Sequence, residues 1–294
     1  MHEFGLDIPL GRIHGLRQGT AGQPRVLALH GWLDNAASFV PLAAYLPGIE
    51  LVAVDLPGHG RSAHLPPGSD YSFAGALHAV LDIADALGWD RFALLGHSMG
   101  AGIASMLAAG CPQRVTRLVA IEALGALPDT EENTVPRMRD AIRAGRALAG
   151  KRMRVFDELE TPVRARTLAR TGAIEAAAAR LLVERGVREV RREDGGVGWE
   201  WSSDPRLTLP TMVRMTAGQV RALIAGIECP TRVIHADPPQ AYLPEPRRSE
   251  HAALLQDGDL HVLTGGHHLH MEQPQAVAAV IGGFLQDDAS IDAR

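Results

Sequence analysis

The segment Gly96-His97-Ser98-Met99-Gly100 constrains this chain more than any other. The apolar run Phe92-Ala93-Leu94-Leu95 precedes it, and the small-residue stretch Ala101–Ala109 follows it. That order predicts a buried strand, a sharp turn with a serine at its apex, and a helix. A turn this tight brings strand and helix backbones together. Side chains at positions 96 and 100 would collide with those neighbours, and glycine avoids the collision. Ser98 then presents its Oγ at a helix N-terminus, where backbone N–H groups stabilise negative charge.

The rest of the chain supplies a frame for such a turn. Short strands are predicted around Phe4–Ile8 and Arg12–Arg17. Val26–Leu29, Leu51–Val54, Phe92–Leu95, Leu118–Ile121, Arg232–Ala236 and Asp259–Leu263 are apolar runs of strand length. Continuous apolar runs suit strands buried on both faces of a parallel sheet. Helices are predicted at Ala37–Tyr45, at Phe73–Leu87 with Ala76, Val80, Ile83 and Leu87 on one side, at Ala217–Ile227 and at Gln275–Leu285. Strand and helix alternate, so the expected fold class is α/β with a doubly wound, mostly parallel sheet. From about Leu127 to Leu209 the pattern changes to an Arg/Ala/Glu-rich helical periodicity without a clear buried strand. It closes on the segment Gly195-Gly196-Val197-Gly198-Trp199-Glu200-Trp201. We expect a core domain of residues 1–126 and 210–294, and a mostly helical insertion at 127–209. The residues from Gln286 onward are expected to fray.

Composition narrows the functional classes. The 294 residues are 46% hydrophobic and 21% charged, as in a folded globular protein. A net charge of −5 and 4% aromatics give neither the basic surface nor the stacking rings of a nucleic-acid binder. Two cysteines, Cys111 and Cys229, do not make a disulfide framework and suit a reducing cytoplasm. The start Met-His-Glu-Phe-Gly-Leu-Asp has no basic region leading into an apolar stretch. No apolar run approaches the roughly 20 residues that span a bilayer. The expectation is a cytoplasmic protein without membrane insertion. The Arg/Lys-rich stretch Arg137–Arg154 reads as a solvated helix face.

Three segments converge on Ser98. His30-Gly31-Trp32 follows the strand Val26–Leu29, and its turn can aim the Trp32 N–H above Ser98. With the Met99 N–H it would form the two-donor oxyanion hole that acyl transfer requires. Gly265-Gly266-His267-His268-Leu269-His270-Met271-Glu272-Gln273-Pro274 follows the last strand. His267, directly after the glycines, is the expected base, because a neutral imidazole accepts the serine proton near pH 7. His270 is the next candidate. A carboxylate must orient the base, and two end a strand: Glu122 and Asp237. His97 is expected to pack and hydrogen-bond, and Asp55 and Arg61 to hold a loop. The cluster His267, His268, His270 and Glu272 also admits a metal reading, but the triad already accounts for it. No metal and no cofactor are expected.

These segments resemble the α/β-hydrolase fold family over nearly the whole chain. Asp55-Leu56-Pro57-Gly58-His59-Gly60-Arg61-Ser62 looks like that family's D-x-P/R-G-x-G-x-S loop. His30-Gly31-Trp32-Leu33-Asp34-Asn35 and the Gly-His-His-Leu-His stretch look closest to its serine hydrolase-like branch. The resemblance implies an esterase-type Ser-His-acid triad under a helical cap, whose place the insertion takes. It also exposes a departure. The family's usual acid position, a few residues beyond the strand that ends at Ala236, aligns with Pro238 or Pro239, and Asp237 falls slightly early. Val119-Ala120-Ile121-Glu122 resembles the strand end that bears the acid in some haloalkane dehalogenases. Dehalogenation is not implied, because those enzymes use an aspartate nucleophile and this elbow holds serine. We therefore favour Glu122, with Asp237 as the alternative. The expected activity is hydrolysis of a small or medium carboxylic ester, a small-molecule substrate, through an acyl-enzyme. A thioesterase, lactonase or C–C bond hydrolase with the same triad, or a ligand receptor with incidental turnover, are the alternatives.

Overall fold

The computed structural model describes residues 1–148, 153–169, 173–192 and 194–286. The four residues 149–152 of the basic stretch, and the C-terminal residues 287–294, lie outside the described residues. Six strands precede the insertion: β1 (His2–Ile8), β2 (Gly11–Gln18), β3 (Arg25–Leu29), β4 (Glu50–Val54), β5 (Phe92–His97) and β6 (Val115–Ile121). The insertion contributes β7 (Val155–Phe156), β8 (Val187–Arg191) and β9 (Val197–Trp201). The chain then returns to the core with β10 (Thr231–Asp237) and β11 (Gly258–Thr264). The core strands form one eight-stranded sheet in the order β1-β2-β4-β3-β5-β6-β10-β11. From β4 to β11 all neighbours are parallel, while β1 and β2 form an antiparallel margin. This is the fold class expected from the sequence.

The period-2 alternation of a strand explains the two wound faces. In β3, Leu27 and Leu29 enter one apolar cluster with Val80, Ile83, Ile103, Leu107 and Ile224. Val26 and Ala28 enter the other, with Phe39, Leu42, Val277 and Ile281. Helices Phe73–Ala86, Met99–Gly110 and Ala217–Ala225 therefore cover one face, and Val40–Ala43 and Pro274–Ile281 the other. The chain passes from β3 to β4 on one side and then to β5 on the other. The strand order reverses there, and the crevice beyond the strand C-termini at such a point is where open α/β sheets bind ligands.

The insertion holds strands that the sequence reading did not place there. It holds the helices Thr134–Leu148, Glu160–Thr167 and Ala176–Gly186, but also a three-stranded antiparallel sheet, β7-β9-β8. The Arg/Ala/Glu-rich pattern of 127–209 reads as helical periodicity because its strands are short or charged. In the structure Arg188 stands opposite Glu200 in the β8–β9 pairing, with 2.6 Å between Nη2 and Oε1. Cross-strand pairs of opposite charge stabilise a sheet as i,i+4 pairs do a helix. The glycine-rich segment supplies the hairpin: Arg192 N–H donates to the Gly196 carbonyl at 2.9 Å, and Asp194 Oδ1 accepts from Gly196 N–H at 2.9 Å. The helix Thr134–Leu148 buries only Ala141, consistent with a solvated basic face. Among the described residues no helix is long and apolar enough to cross a membrane.

Candidate active site

Ser98 lies between β5 and the helix Met99–Gly110 with φ 51° and ψ −116°, a region that L-residues rarely occupy. Its N–H donates to the Ile121 carbonyl at 2.8 Å, and its carbonyl accepts from Gly102 N–H at 3.0 Å. Both flanking glycines are required. A Cβ at Gly96 would lie 2.4 Å from Ala101 Cα, and one at Gly100 only 2.0 Å from the Leu29 carbonyl oxygen. Close approach of three backbones thus forces the serine outward. The Met99 and Trp32 N–H groups make no backbone hydrogen bond among the described residues. The Trp32 side chain is half exposed and donates Nε1–H to the Leu207 carbonyl of the insertion at 2.8 Å.

Glu122 is the first residue beyond β6, also at positive φ (59°). Its N–H donates to the Ile234 carbonyl of β10 at 2.9 Å, which fixes the residue between two strands. Its carboxylate is buried. Oε2 lies 3.1 Å from His267 Nδ1, and Oε1 accepts from the Ala236 N–H at 2.6 Å, with His235 Nδ1 at 3.6 Å. Burial opposes its ionised form, but the bonds from His235, His267 and the Ala236 N–H prevail and hold the carboxyl at about 2. An ionised carboxylate only accepts, so His267 Nδ1 carries the proton and Nε2 keeps its lone pair. Asp237 ends β10 with an exposed side chain, and its carbonyl accepts from Gly265 N–H at 3.0 Å. No hydrogen bond joins the Asp237 carboxylate to His267 among the described residues.

The histidine-rich turn spreads its side chains to four different partners. His267 faces Glu122. His268 Nε2 lies 3.2 Å from Asp34 Oδ2. His270 is fully buried, with Nε2 2.6 Å from Ser38 Oγ, and burial and the neighbouring His268 push it down to about 3. Glu272 Oε1 accepts from the Glu175 N–H of the insertion at 2.8 Å. The cluster read in the sequence is therefore not one ligand set. Asp34, His97 and His268 do bring three donor atoms within 4.8 Å. Asp34, however, already engages Arg166 with Oδ1 and His268 with Oδ2. His97 packs on the His270 ring at 4.0 Å and donates Nε2–H to the His267 carbonyl at 2.9 Å, so it steadies the loop that bears His267. Asp55 accepts from Ala36 N–H, Arg61 N–H and Arg185 and holds its loop; Arg61 contributes through its backbone.

Sequence reasoning missed Tyr242, whose hydroxyl lies 3.0 Å from His267 Nδ1 and 3.4 Å from Nε2. Only its place in the proline-rich loop after β10 hinted at the site. It also missed the Asp34–Arg166 bond, which crosses from core to insertion.

A serine at a strained strand-to-helix turn and a carboxylate-held histidine on the turn after the last strand are the parts of a serine-hydrolase type of centre. The comparisons agree. The α/β hydrolase fold family profile matches residues 24–171. A serine hydrolase-like protein of Danio rerio is 30% identical over 97% of this chain and 88% of its own length. The lipase LipV of Mycobacterium tuberculosis is 30% identical over 93% of this chain and 97% of its own. The crystal structure of a hypothetical protein from Pseudomonas aeruginosa PAO1 superposes with a TM-score of 0.88 at 38% identity, covering 97% of this chain and 99% of that one. This chain belongs to the α/β-hydrolase fold family, close to its serine hydrolase-like branch.

Proposed function

We propose that the protein hydrolyses a small or medium carboxylic ester through an acyl-enzyme. One observation carries the reading: Ser98 sits at the strained turn after β5, and the buried Glu122 lies 3.1 Å from His267 Nδ1, which leaves Nε2 free to take a proton. Ser98 Oγ attacks the carbonyl carbon as its proton passes to His267 Nε2. Glu122 stabilises the imidazolium, and the Trp32 and Met99 N–H groups take the oxyanion charge. The proton then goes to the leaving oxygen, and water repeats the sequence on the acyl-enzyme. Similarity to the mycobacterial lipase supports an ester over a thioester or lactone. Residues 127–209 act as a cap that sets substrate size, in a cytoplasmic protein.

A fluorophosphonate probe should label the wild type on Ser98 and leave Ser98→Ala unlabelled. The wild type should turn over p-nitrophenyl esters, with a preference among chain lengths. Full ester turnover by Ser98→Ala would overturn the assignment.

A further inference from the structure

Tyr242 stands where the reaction must take place. It lies on the loop between β10 and the helix Arg247–Ala252, and that loop is anchored on both sides of it. Leu243 is buried, with its N–H on the Gln240 carbonyl at 2.9 Å. Buried Arg248 donates to the Ala236 carbonyl at 2.6 Å and to Glu245 at 3.0 Å. The ring of Tyr242 meets His267 edge-on at 6.0 Å and remains 38% exposed, while its hydroxyl points inward. That hydroxyl lies 3.0 Å from His267 Nδ1 and 3.4 Å from Nε2, the nitrogen left free by Glu122. Among the described residues the hydroxyl's hydrogen bonds are to the His267 imidazole.

We propose that Tyr242 is a catalytic residue, and the proposal rests on the roles given above to Ser98 and His267. Its hydroxyl donates a hydrogen bond to the leaving-group oxygen as the tetrahedral intermediate collapses. In that step the bond from the acyl carbon to the leaving oxygen breaks, and its electron pair goes to the oxygen. The proton that Ser98 gave to Nε2 passes to the same oxygen. Tyr242 keeps its own proton and spreads the developing charge. Burial and the nearby Glu122 carboxylate push the phenol above its usual range, so it stays a donor throughout the neutral region. In deacylation water occupies the leaving group's place, and the same hydroxyl orients it.

The role can be tested without ester turnover. Diethyl phosphate esters with p-nitrophenoxide or phenoxide as leaving group phosphorylate an activated serine once, and intact-protein mass spectrometry gives the rate. Tyr242→Phe should lose rate with both, and the loss should grow by about ten-fold or more from p-nitrophenoxide to the poorer phenoxide. Replacing all three tyrosines by 3-fluorotyrosine, which makes a more acidic donor, should flatten the same dependence. It also keeps the ring should the phenylalanine variant fold poorly. Equal losses with both leaving groups, a faster reaction in Tyr242→Phe, or an unchanged slope with fluorotyrosine would overturn the role of Tyr242 alone. No phosphorylation of wild-type Ser98 by either compound would overturn the hydrolase reading, and this role with it.

Discussion

Glu122 occupies a left-handed backbone conformation that costs a glutamate on the order of 1 kcal/mol, and it is held there by the β10 backbone. What offsets that cost is a carboxylate with a donor on each oxygen. Glu122→Gln should lower kcat by about 10³-fold or more while KM changes little, because the imidazolium loses its charge partner. Asp237→Asn should cost far less, since that side chain is exposed. The opposite ranking would return the acid to the loop after β10. The same residue sets an acid limb in stability. A folded value of about 2 against 4.5 for the free side chain gives roughly 3 kcal/mol. This contribution is complete above about pH 5 and is lost as pH falls toward 2. Urea denaturation should therefore show the stability gap between wild type and Glu122→Gln narrowing over that window. A constant gap would contradict the shift.

The β5–turn–helix element makes an equally direct prediction. Gly100→Ala drives a methyl group onto the Leu29 carbonyl, a backbone atom of β3 that cannot yield without moving the sheet. We expect a loss of about 3 kcal/mol or more by denaturant unfolding. Gly110→Ala at the other end of the same helix meets nothing within 4 Å and should be neutral or slightly stabilising. Elements of this kind are readable in a sequence because their determinants are local. An apolar run, two glycines and a small-residue helix announce the turn that presents Ser98. Glu122 was readable because it directly ends a buried strand. Strands β8 and β9 were not, because Arg188 and Glu200 gain their meaning only opposite one another. Nor was Tyr242: its hydroxyl reaches His267 through a loop path on which neither hydrophobic period nor turn chemistry leaves a mark. The bond between Asp34 and Arg166 spans 132 residues and is likewise invisible along the chain.

Core and insertion are joined by polar bonds to the sheet's C-terminal edge. Arg185 is buried between Asp55, with 2.8 Å from Nε to Oδ1, and Glu3, with 2.6 Å from Nη1 to Oε1. Asn35 Nδ2–H donates to the Leu182 carbonyl at 2.8 Å, and Asp204 N–H to the Gly58 carbonyl at 2.8 Å. Removing Arg185 leaves the Asp55 carboxylate buried with only two backbone donors. Arg185→Ala should thus destabilise the whole molecule by about 3 kcal/mol, read as a lower urea midpoint, and should speed amide exchange in the helix Ala176–Gly186. A midpoint within error of wild type would show that the insertion is held by other means. The position of Glu122 has a consequence on this scale too. Because Glu122 at the end of β6 braces His267 Nδ1, the Asp237 carboxylate is relieved of orienting that imidazole. Selection, or an engineer, can vary the residues flanking Tyr242 in the loop after β10 and retune which leaving groups the proposed site accepts while the imidazole stays in register. Two properties that most arrangements would couple can here vary independently.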